Sequence, residues 1–226
     1  MALRHLRLRR ALIDTARRMN ELGINQGTSG NLSVRLVVRG GASGGLLITP
    51  SGVPYEAMVP ADIIEMAFDG TWRCAGPGRR PSSEWRFHLD IMRARPEFGA
   101  VIHTHARHAT ALACLRREIP AFHYMVAVAG GSTIRCAPYA TFGTAALSRH
   151  VLRALAGRRA CLLANHGLIA CGRDLAAALA LAVEVETLAA QYCTALAIGK
   201  PKILSEAEMA RVIKKFEAGY GRRAKA

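Results

Sequence analysis

The sequence predicts an α/β fold with a substantially antiparallel sheet. Short apolar segments alternate with longer segments of helical periodicity along the 226 residues. Tight turn signals such as Asp69-Gly70 join neighbouring apolar segments, which is typical of antiparallel hairpins. No internal repeat, low-complexity segment or linker divides the chain, so we expect one domain over residues 1–226.

The first half of the chain predicts one helix followed by several hairpins. Leu6, Ile13 and Met19 stand near helical spacing, and Gly23 is expected to end that helix. The apolar patterns and turn residues that follow predict strands over residues 32–38, 46–49, 63–68 and 71–73, with a flexible turn over residues 40–45.

Helices and short buried strands are expected in the rest of the chain. Ser82 or Ser83 is expected to cap a helix over residues 85–95, which Pro96 ends. Asp174 is expected to cap the longest helix of the chain. The same signals predict strands over residues 100–103 and 160–164 and helices over residues 106–116, 174–198 and 205–216.

The composition is strongly basic. Lysine and arginine number 31 against 16 acidic residues, which gives a formal net charge of +15 at pH 7. A charge of this size indicates a polyanionic partner such as nucleic acid. No zinc-finger spacing or aromatic RNA-binding strand accompanies it, and aromatic residues make up only 6% of the chain. We therefore expect no nucleic-acid partner, and a basic nucleic-acid-binding protein is retained only as the alternative from a different functional class.

The arginines of the first 18 residues allow three interpretations. They fit a removable mitochondrial presequence, a nucleic-acid-binding arm, or an amphipathic first helix with a solvated basic face. The last interpretation is favoured because Gly23 ends the helix and a turn-rich motif follows at once.

Hydropathy and cysteine spacing exclude other classes. A hydrophobic content of 51% and a mean hydropathy of +0.14 argue against a disordered chain. The longest stretch without charged residues runs from Ile119 to Ile134 and contains proline and glycine, so no membrane span is expected. The six cysteines form no C-x-x-C pair and no secretory signal precedes them, which predicts reduced thiols in a cytoplasmic protein.

Two closely spaced histidines are the sharpest chemical signal. His103 and His105 follow an apolar run, and residues i and i+2 of a strand point to the same side. Two imidazoles in this arrangement can ligate one metal ion, although two partly exposed histidines without a ligand would look the same. His166 also follows an apolar strand and offers a third ligand. Three histidines with one open position are typical of a catalytic zinc site.

Candidate acid–base groups are few. Glu84 is either a general base beside the metal or a first-turn partner of the helix dipole. No aspartate or glutamate occurs from Ile119 through Arg173, so proton transfer in that part of the chain depends on other residue types. Tyr124 and Tyr139 are the candidate proton donors there, with packed structural rings as the alternative.

Three turns are rich in neutral hydrogen-bond donors. They cover residues 27–31, 49–52 and 82–83. Exposed backbone N–H groups and serine hydroxyls near a helix start can bind an anion, and ordinary turn chemistry is the competing explanation. If the three turns meet in space, they form a phosphate pocket.

These motifs occur together in an order that carries a family resemblance. The segments are residues 25–31, 48–52, 82–84, 103–105, 123–125, 137–143 and 165–167. With them the chain resembles the class II zinc-dependent aldolases of the L-fuculose-phosphate aldolase type, whose superfamily includes L-ribulose-5-phosphate 4-epimerases. The resemblance extends from about Leu6 to Tyr220, so it argues against a presequence.

The resemblance implies a fold, an assembly and a set of site residues. It implies a three-layer α/β/α sandwich with a central, largely antiparallel sheet, and a homotetramer with active sites at subunit interfaces. It implies one Zn²⁺ per subunit on His103, His105 and His166, Glu84 as acid–base carboxylate, and Tyr124 as a proton donor to the neighbouring subunit's site. The resemblance also implies Tyr220 as a residue that closes over substrate. The implied phosphate pocket consists of Gly30, Asn31, Ser51, Gly52, Ser82 and Ser83.

The implied reaction is reversible cleavage of a ketose 1-phosphate to dihydroxyacetone phosphate and an aldehyde through a metal-stabilised enediolate. Three ketose 1-phosphates, which differ in the aldehyde they release, remain candidate substrates: L-fuculose 1-phosphate, 5-deoxyribulose 1-phosphate and 5-methylthioribulose 1-phosphate. The last two belong to salvage of spent S-adenosylmethionine. Phe142 is a candidate to line the aldehyde pocket. A 4-epimerase is the nearest rival, but family epimerases tend to carry Asp in place of Glu84 and a further carboxylate near Tyr124. A sugar-acid-phosphate decarboxylase and a methylthioribulose-1-phosphate dehydratase are lesser rivals.

Overall fold

The computed structural model describes residues 3–37 and 43–219, and eight strands of this part of the chain form one sheet. The strands are β1 (Asn31–Val37), β2 (Ser43–Ile48), β3 (Ile64–Met66), β4 (Trp72–Arg73), β5 (Ala100–Thr104), β6 (Cys136–Ala137), β7 (Ala160–Leu163) and β8 (Gly167–Gly172). Their order across the sheet is β4-β3-β2-β1-β5-β8-β7-β6. Every neighbouring pair is antiparallel except β6 and β7. The largely antiparallel sheet is therefore confirmed.

Helices cover both faces of this sheet. They are α1 (Leu6–Glu21), α2 (Trp85–Ala94), α3 (Arg107–Cys114), α4 (Ala145–Ala154), α5 (Leu175–Ile198) and α6 (Glu206–Glu217), with short 3₁₀ helices at Pro60–Asp62 and Tyr124–Ala129. The buried residues of α1, α3 and α5 share one apolar core with one face of the sheet. Those of α2 and α4 form a second core on the opposite face. The expected three-layer α/β/α arrangement is confirmed.

Side-chain caps begin three of the helices. The Asp174 carboxylate accepts a hydrogen bond from the Ala177 N–H at 2.7 Å at the start of α5. Ser205 caps α6 in the same way by accepting from the Glu208 N–H at 3.2 Å. Both helix starts agree with the sequence prediction, because an aspartate or serine oxygen satisfies an N–H that lacks an intrahelical acceptor.

The start of α2 differs from the prediction. The N-cap is Glu84, and neither Ser82 nor Ser83 caps the helix. The Ser82 hydroxyl instead accepts from the Glu84 N–H at 3.3 Å, one residue before the helix begins. The local sequence resembles a capping motif, but these residues take part in tertiary contacts described below.

Three elements were not predicted: α4, β6 and β8. The fully buried β8 follows β7 after a three-residue turn, and its sequence has no polar alternation that would mark a strand. β6 contains only two residues. Residues 40–42 of the predicted turn before β2 lie outside the described part of the chain.

The arginines of α1 are not all on a solvated face. Arg9 is buried and donates to the backbone carbonyls of Pro60 and Ile63. Arg17 donates to the carbonyls of Tyr55 and Glu56, at 3.0 and 3.1 Å. The solvated-face interpretation is wrong for Arg9, whereas the Arg17 side chain is 40% exposed and therefore partly solvated. Both guanidinium groups satisfy carbonyls of a loop that has no strand partner.

The helix α5 is long and apolar enough to cross a bilayer, judged by length and composition alone. A core helix of a globular domain meets the same test. Ala178, Ala182, Val185 and Leu188 of α5 are fully buried against the sheet and α3. This packing accounts for the apolar sequence of the helix.

A carboxylate of α5 caps the neighbouring α3. Glu186 accepts hydrogen bonds from the backbone N–H groups of His108 and Ala109, each at 2.9 Å, and contacts the His108 ring at 2.8 Å. The residue before α3 is Ala106, which supplies no side-chain cap. Glu186 on α5 therefore caps the N-terminus of α3 by accepting hydrogen bonds from its first N–H groups, a task that an N-cap side chain normally performs.

We expect Glu186→Ala to lower the free energy of unfolding by about 1–3 kcal/mol, because it leaves two helix N–H groups without their acceptor. Chemical denaturation at fixed protein concentration measures this change. Glu184→Ala on the same helix is the matched control, because Glu184 makes no hydrogen bond to the described residues, and it is expected to change stability by less than about 0.5 kcal/mol. Equal effects of the two variants would contradict the cap.

Candidate active site and metal centre

The end of β5 presents the two closely spaced histidines. His103 is fully buried on the same side of the sheet as Val101, and its ring lies edge-on to Phe87 at 5.5 Å between centroids. Thr104 points the opposite way and donates a hydrogen bond to the carbonyl of Ile24. This anchor fixes the strand end between the two imidazoles.

The third histidine lies in the tight turn between β7 and β8. His166 is held there by its N–H, which donates to the Leu163 carbonyl at 3.0 Å. The next residue must be glycine, because a Cβ on Gly167 would lie 2.5 Å from the Thr104 carbonyl oxygen and 3.0 Å from the His105 ring. The missing side chain lets the hairpin approach the end of β5.

The three imidazoles converge on one point. One nitrogen from each of His103, His105 and His166 lies within 4.8 Å of the other two, and the ring centroids are 4.7–4.9 Å apart. Three nitrogens bound to one tetrahedral zinc ion at about 2.1 Å would stand about 3.4 Å from one another. The donor set and its spacing therefore fit a divalent metal ion.

The protonation of these rings also suits metal binding. His103 Nδ1 donates to the Leu168 carbonyl at 2.9 Å, which aims its Nε2 at the cluster. Burial, followed by repulsion from His103, lowers the pKa of His105 and of His166 to about 4. Both rings are neutral at pH 7. The Leu168 carbonyl is a partner that no side-chain motif could reveal.

The Glu84 carboxylate lies against this cluster. Its Oε2 is 3.1 Å from His103 Nε2 and its Oε1 is 3.3 Å from His166 Nε2. Burial opposes ionisation, but His103, His166 and a hydrogen bond from Asn31 together lower the Glu84 pKa well below its usual range. Oε1 is buried and has no hydrogen-bond partner among the described residues. An orphaned carboxylate oxygen aimed at three imidazoles supports a cationic species at this point.

Asn31 and His88 form the other side of the carboxylate. Asn31 Nδ2 donates to Glu84 Oε2 at 3.0 Å, while Asn31 Oδ1 is 2.6 Å from His88 Nε2. Burial lowers the pKa of His88 to about 3. Sequence reasoning did not place His88 in the site, and the only signal for it was its spacing four residues after Glu84.

The three donor-rich turns meet beside this cluster. Thr49 and Leu32 exchange hydrogen bonds, and the Ser82 N–H donates to the Thr49 carbonyl at 3.1 Å. A β-bridge between Pro50 and Pro81 joins the second turn to the third. The predicted phosphate pocket required the three turns to meet in space, and they do. The pocket itself stays a prediction.

The six residues of the predicted phosphate pocket differ in their exposure to solvent. Ser51, Gly52 and Ser83 are exposed, whereas Gly30, Asn31 and Ser82 are buried. The Asn31 side chain is occupied by Glu84 and His88. Gly30 lies where a Cβ would meet Asn25 Oδ1 at 2.6 Å and the His103 carbonyl oxygen at 2.8 Å, so the first turn can approach β5 only without a side chain there.

A cavity of about 290 Å³ opens onto the metal-site residues. Its wall includes Ser83, Glu84, His105 and His166. The aromatic rings of Tyr139 and Phe142 line the same cavity, and they are 54% and 63% exposed. The cavity therefore combines a polar, metal-binding floor with an apolar, accessible rim.

Tyr124 does not line that cavity. It begins a 3₁₀ helix and lines a separate cavity with Phe122, Leu204 and Phe216, which α6 borders. Its predicted role as a proton donor in a neighbouring subunit's site is untested by the geometry of one chain. Tyr220 lies outside the described residues.

Comparisons with known proteins agree with this geometry. The family model described as "Class II Aldolase and Adducin N-terminal domain" matches residues 10–193. The 5-methylthioribulose-1-phosphate/5-deoxyribulose-1-phosphate aldolase of Rhodospirillum rubrum is 59% identical over 214 residues, which are 95% of this chain and 92% of that protein. The L-fuculose phosphate aldolase of Escherichia coli K12 is 51% identical over 218 residues, 96% of this chain and 97% of that protein.

A solved structure described as L-fuculose 1-phosphate aldolase superimposes with a TM-score of 0.87 at 40% identity, covering 96% of this chain and 98% of that one. The match of the family model covers most of the chain, including all three histidines and Glu84. The chain therefore belongs to the class II aldolase and adducin N-terminal domain family.

Proposed function

We propose that this protein is a metal-dependent aldolase that cleaves a ketose 1-phosphate reversibly to dihydroxyacetone phosphate and an aldehyde. The observation that carries the proposal is the convergence of three histidines and Glu84 beside three donor-rich turns. A phosphorylated sugar needs an anion site and a centre that stabilises negative charge on oxygen. The names of the relatives with high identity support this reaction.

We propose Zn²⁺ as the metal, held by His103, His105 and His166. Neutral imidazoles are ligands that zinc prefers, and three protein ligands are typical of its catalytic sites. When bound, the ion supplies a Lewis acid that stabilises the negative charge of the enediolate. The buried, uncompensated Oε1 of Glu84 supports a cation at this point.

The proposed proton chemistry uses Glu84 and Tyr124. In the direction of cleavage the C4 hydroxyl loses its proton, the C3–C4 bond breaks, and its electron pair forms the enediolate. Tyr124 of a neighbouring subunit passes the C4 proton to solvent, and Glu84, protonated from solvent, delivers a proton to C3 to complete dihydroxyacetone phosphate. In the direction of synthesis the ionised Glu84 carboxylate removes the C3 proton. The two transfers balance, so no net proton is consumed.

We propose 5-methylthioribulose 1-phosphate and 5-deoxyribulose 1-phosphate as the preferred substrates. The supporting observation is the apolar rim of the cavity, formed by Phe142, Ala140 and the Tyr139 ring. An apolar rim suits the acetaldehyde or methylthioacetaldehyde half of these substrates better than the lactaldehyde half of L-fuculose 1-phosphate, which carries a further hydroxyl beside its methyl group. The relative from Rhodospirillum rubrum is named for these two activities, which supports this choice of substrates. We propose salvage of spent S-adenosylmethionine as the setting of the reaction. L-Fuculose 1-phosphate is the second candidate, supported by the name of the Escherichia coli relative.

We further propose a cytoplasmic homotetramer that binds neither nucleic acid nor membranes. The location of Tyr124 in a cavity separate from the metal-site residues supports a site completed by a second subunit. The apolar residues at that cavity, Phe122 and Leu204 among them, are suited to contact another copy of the chain. The basic surface is then available to attract anionic sugar phosphates at long range.

Release of dihydroxyacetone phosphate from the three ketose 1-phosphates tests the proposed function. We expect kcat/KM to be highest for the 5-methylthio and 5-deoxy substrates, and chelation to reduce it by on the order of 100-fold or more, because no protein group replaces the Lewis acid. Adding Zn²⁺ back should restore activity. L-Ribulose 5-phosphate is the control substrate. Its epimerisation without cleavage of any ketose 1-phosphate would contradict the proposal, as would full activity in chelator.

We expect Glu84→Gln to keep the metal and lose turnover by about 100-fold or more, since the amide cannot exchange the C3 proton. Metal content by elemental analysis and kcat are measured together. Glu184→Gln is the matched control, because that carboxylate lines a different cavity, and it is expected to retain wild-type turnover. Unchanged kcat in Glu84→Gln would exclude Glu84 as the proton-transfer group.

We expect Phe142→Ser to lower kcat/KM for 5-methylthioribulose 1-phosphate by about tenfold, and less for 5-deoxyribulose 1-phosphate, because the larger apolar terminus loses more contact. The ratio of the two kcat/KM values is the measurement. Trp72→Ser, which removes an exposed aromatic ring on β4, is the control. An unchanged ratio would show that Phe142 does not contact the aldehyde half.

A further inference from the structure

A buried row of polar side chains leads from the sheet to the Glu84 carboxylate. Ser33 Oγ lies 2.8 Å from His88 Nδ1, His88 Nε2 lies 2.6 Å from Asn31 Oδ1, and Asn31 Nδ2 lies 3.0 Å from Glu84 Oε2. All four side chains belong to residues that are at most 5% exposed. Asn31 and Ser33 are two apart on β1, while Glu84 and His88 are four apart at the start of α2, so the two pairs face each other.

Hydrogen-bond chemistry allows one pattern of donors along this row. An ionised carboxylate only accepts, so the Asn31 amide must turn its NH₂ towards Glu84 and its carbonyl oxygen towards His88. That carbonyl needs a donor, which places the proton of His88 on Nε2. A neutral imidazole then has its lone pair on Nδ1, and this lone pair accepts from the Ser33 hydroxyl.

Each ring nitrogen of His88 thus has a distinct task. Nε2–H donates to the Asn31 carbonyl oxygen and so keeps the Asn31 NH₂ turned towards Glu84, while the Ser33 hydroxyl donates to Nδ1 and holds the ring in the orientation that aims Nε2 at Asn31. If the proton moved to Nδ1, two acceptors, His88 Nε2 and Asn31 Oδ1, would face each other at 2.6 Å. No hydrogen bond would then keep the Asn31 NH₂ turned towards Glu84.

The two oxygens of Glu84 are consequently unequal. Oε2 is held by Asn31, whereas Oε1 accepts no hydrogen bond from any described residue. A carboxylate anchored by one oxygen keeps its other oxygen at a fixed position with an available lone pair. This is the arrangement that a proton-transfer group needs, since a misplacement of about 1 Å can reduce a rate about 100-fold.

Packing does not require a polar row at this location. Phe87 stacks on the His88 ring with 4.7 Å between centroids, and the surrounding core residues are apolar. Apolar side chains of similar volume in such positions are often neutral or stabilising. Glu84 contacts His103 and His166 of the metal site, so the row has its functional end at that carboxylate.

We propose that His88 and Ser33 are positioning residues for the reaction, because they fix the Asn31 amide and thereby leave Oε1 of Glu84 as the atom that exchanges the C3 proton. This inference rests on the proposed function, in which Glu84 is the proton-transfer group. It adds two residues that do not touch substrate or metal, and it assigns the Asn31 side chain to the carboxylate rather than to phosphate.

Two amide substitutions of His88 separate the two ring nitrogens. In His88→Gln the amide NH₂ can occupy the position of Nε2 and still donate to Asn31. In His88→Asn the shorter amide reaches only the position of Nδ1, so Asn31 loses its donor. The Zn²⁺-loaded proteins are compared by kcat, KM and metal content, and by exchange of the C3 hydrogen of dihydroxyacetone phosphate in deuterium oxide. That exchange requires Glu84 but no aldehyde.

We expect His88→Asn to lower both kcat and the exchange rate by about 10–100-fold, with KM and metal content within about twofold of wild type. His88→Gln should remain within about threefold of wild type in all four quantities. His150→Asn, which changes a histidine whose ring donates to the Pro138 carbonyl away from this row, is the control and should match wild type. Wild-type kcat and exchange in His88→Asn, or equal losses in His88→Asn and His88→Gln, would overturn the inference.

Ser33→Ala keeps the proposal testable if a His88 variant does not fold. It removes one hydroxyl and should lower kcat and exchange by about 3–10-fold at unchanged KM, because the His88 ring loses the hydrogen bond that holds its Nδ1 and so aims Nε2 less firmly at Asn31. Unchanged kcat in Ser33→Ala would remove Ser33 from the proposal. The absence of metal-dependent cleavage by the wild-type protein would refute the proposed function itself, whereas cleavage by wild type and His88→Asn at equal rates would refute only the positioning role.

Discussion

The close approach of the β7–β8 hairpin to the end of β5 is the constraint on which the rest of the site depends. It requires Gly167, because any side chain there would collide with the Thr104 carbonyl and the His105 ring. The same approach brings the Leu168 carbonyl to His103 Nδ1 and so orients that imidazole. Antiparallel pairing of β5 with β8 holds both strands in this register. One backbone arrangement therefore sets the positions of all three histidines.

The helix α3 braces this arrangement at both ends. It begins two residues after His105, where Glu186 of α5 accepts hydrogen bonds from the N–H groups of His108 and Ala109. Near its end, the turn that carries His166 is attached through Asn165, whose N–H donates to the Ala113 carbonyl and whose side chain accepts from Arg116. Asn165 has a φ of 55°, a conformation that asparagine tolerates better than most residues. The positions of two of the three histidines, His105 and His166, thus depend on one short helix.

The charge of +15 has a partly structural explanation. Arg9 and Arg17 satisfy loop carbonyls beneath α1, and Arg35 of β1 donates to the carbonyls of Phe98 and Met92 at 2.9 and 2.6 Å. Guanidinium groups suit this task because their several N–H donors reach more than one carbonyl at once. The polyanion partner suggested by composition is therefore not needed to account for these arginines, and long-range attraction of sugar phosphates remains the functional role proposed for the surface charge.

The sequence by itself determined the local features of this protein. The i, i+2 spacing of His103 and His105, the caps Asp174 and Ser205 and the largely antiparallel class all follow from residue types and short spacings, because their causes lie within a few residues. Only the tertiary structure decided which turns meet beside the histidines, where Glu84 points, and that His88 and Asn31 stand behind it. The contacts of Asn31 with Glu84 and His88 join residues 53 and 57 positions apart, and local spacing carries no information about pairing over such separations.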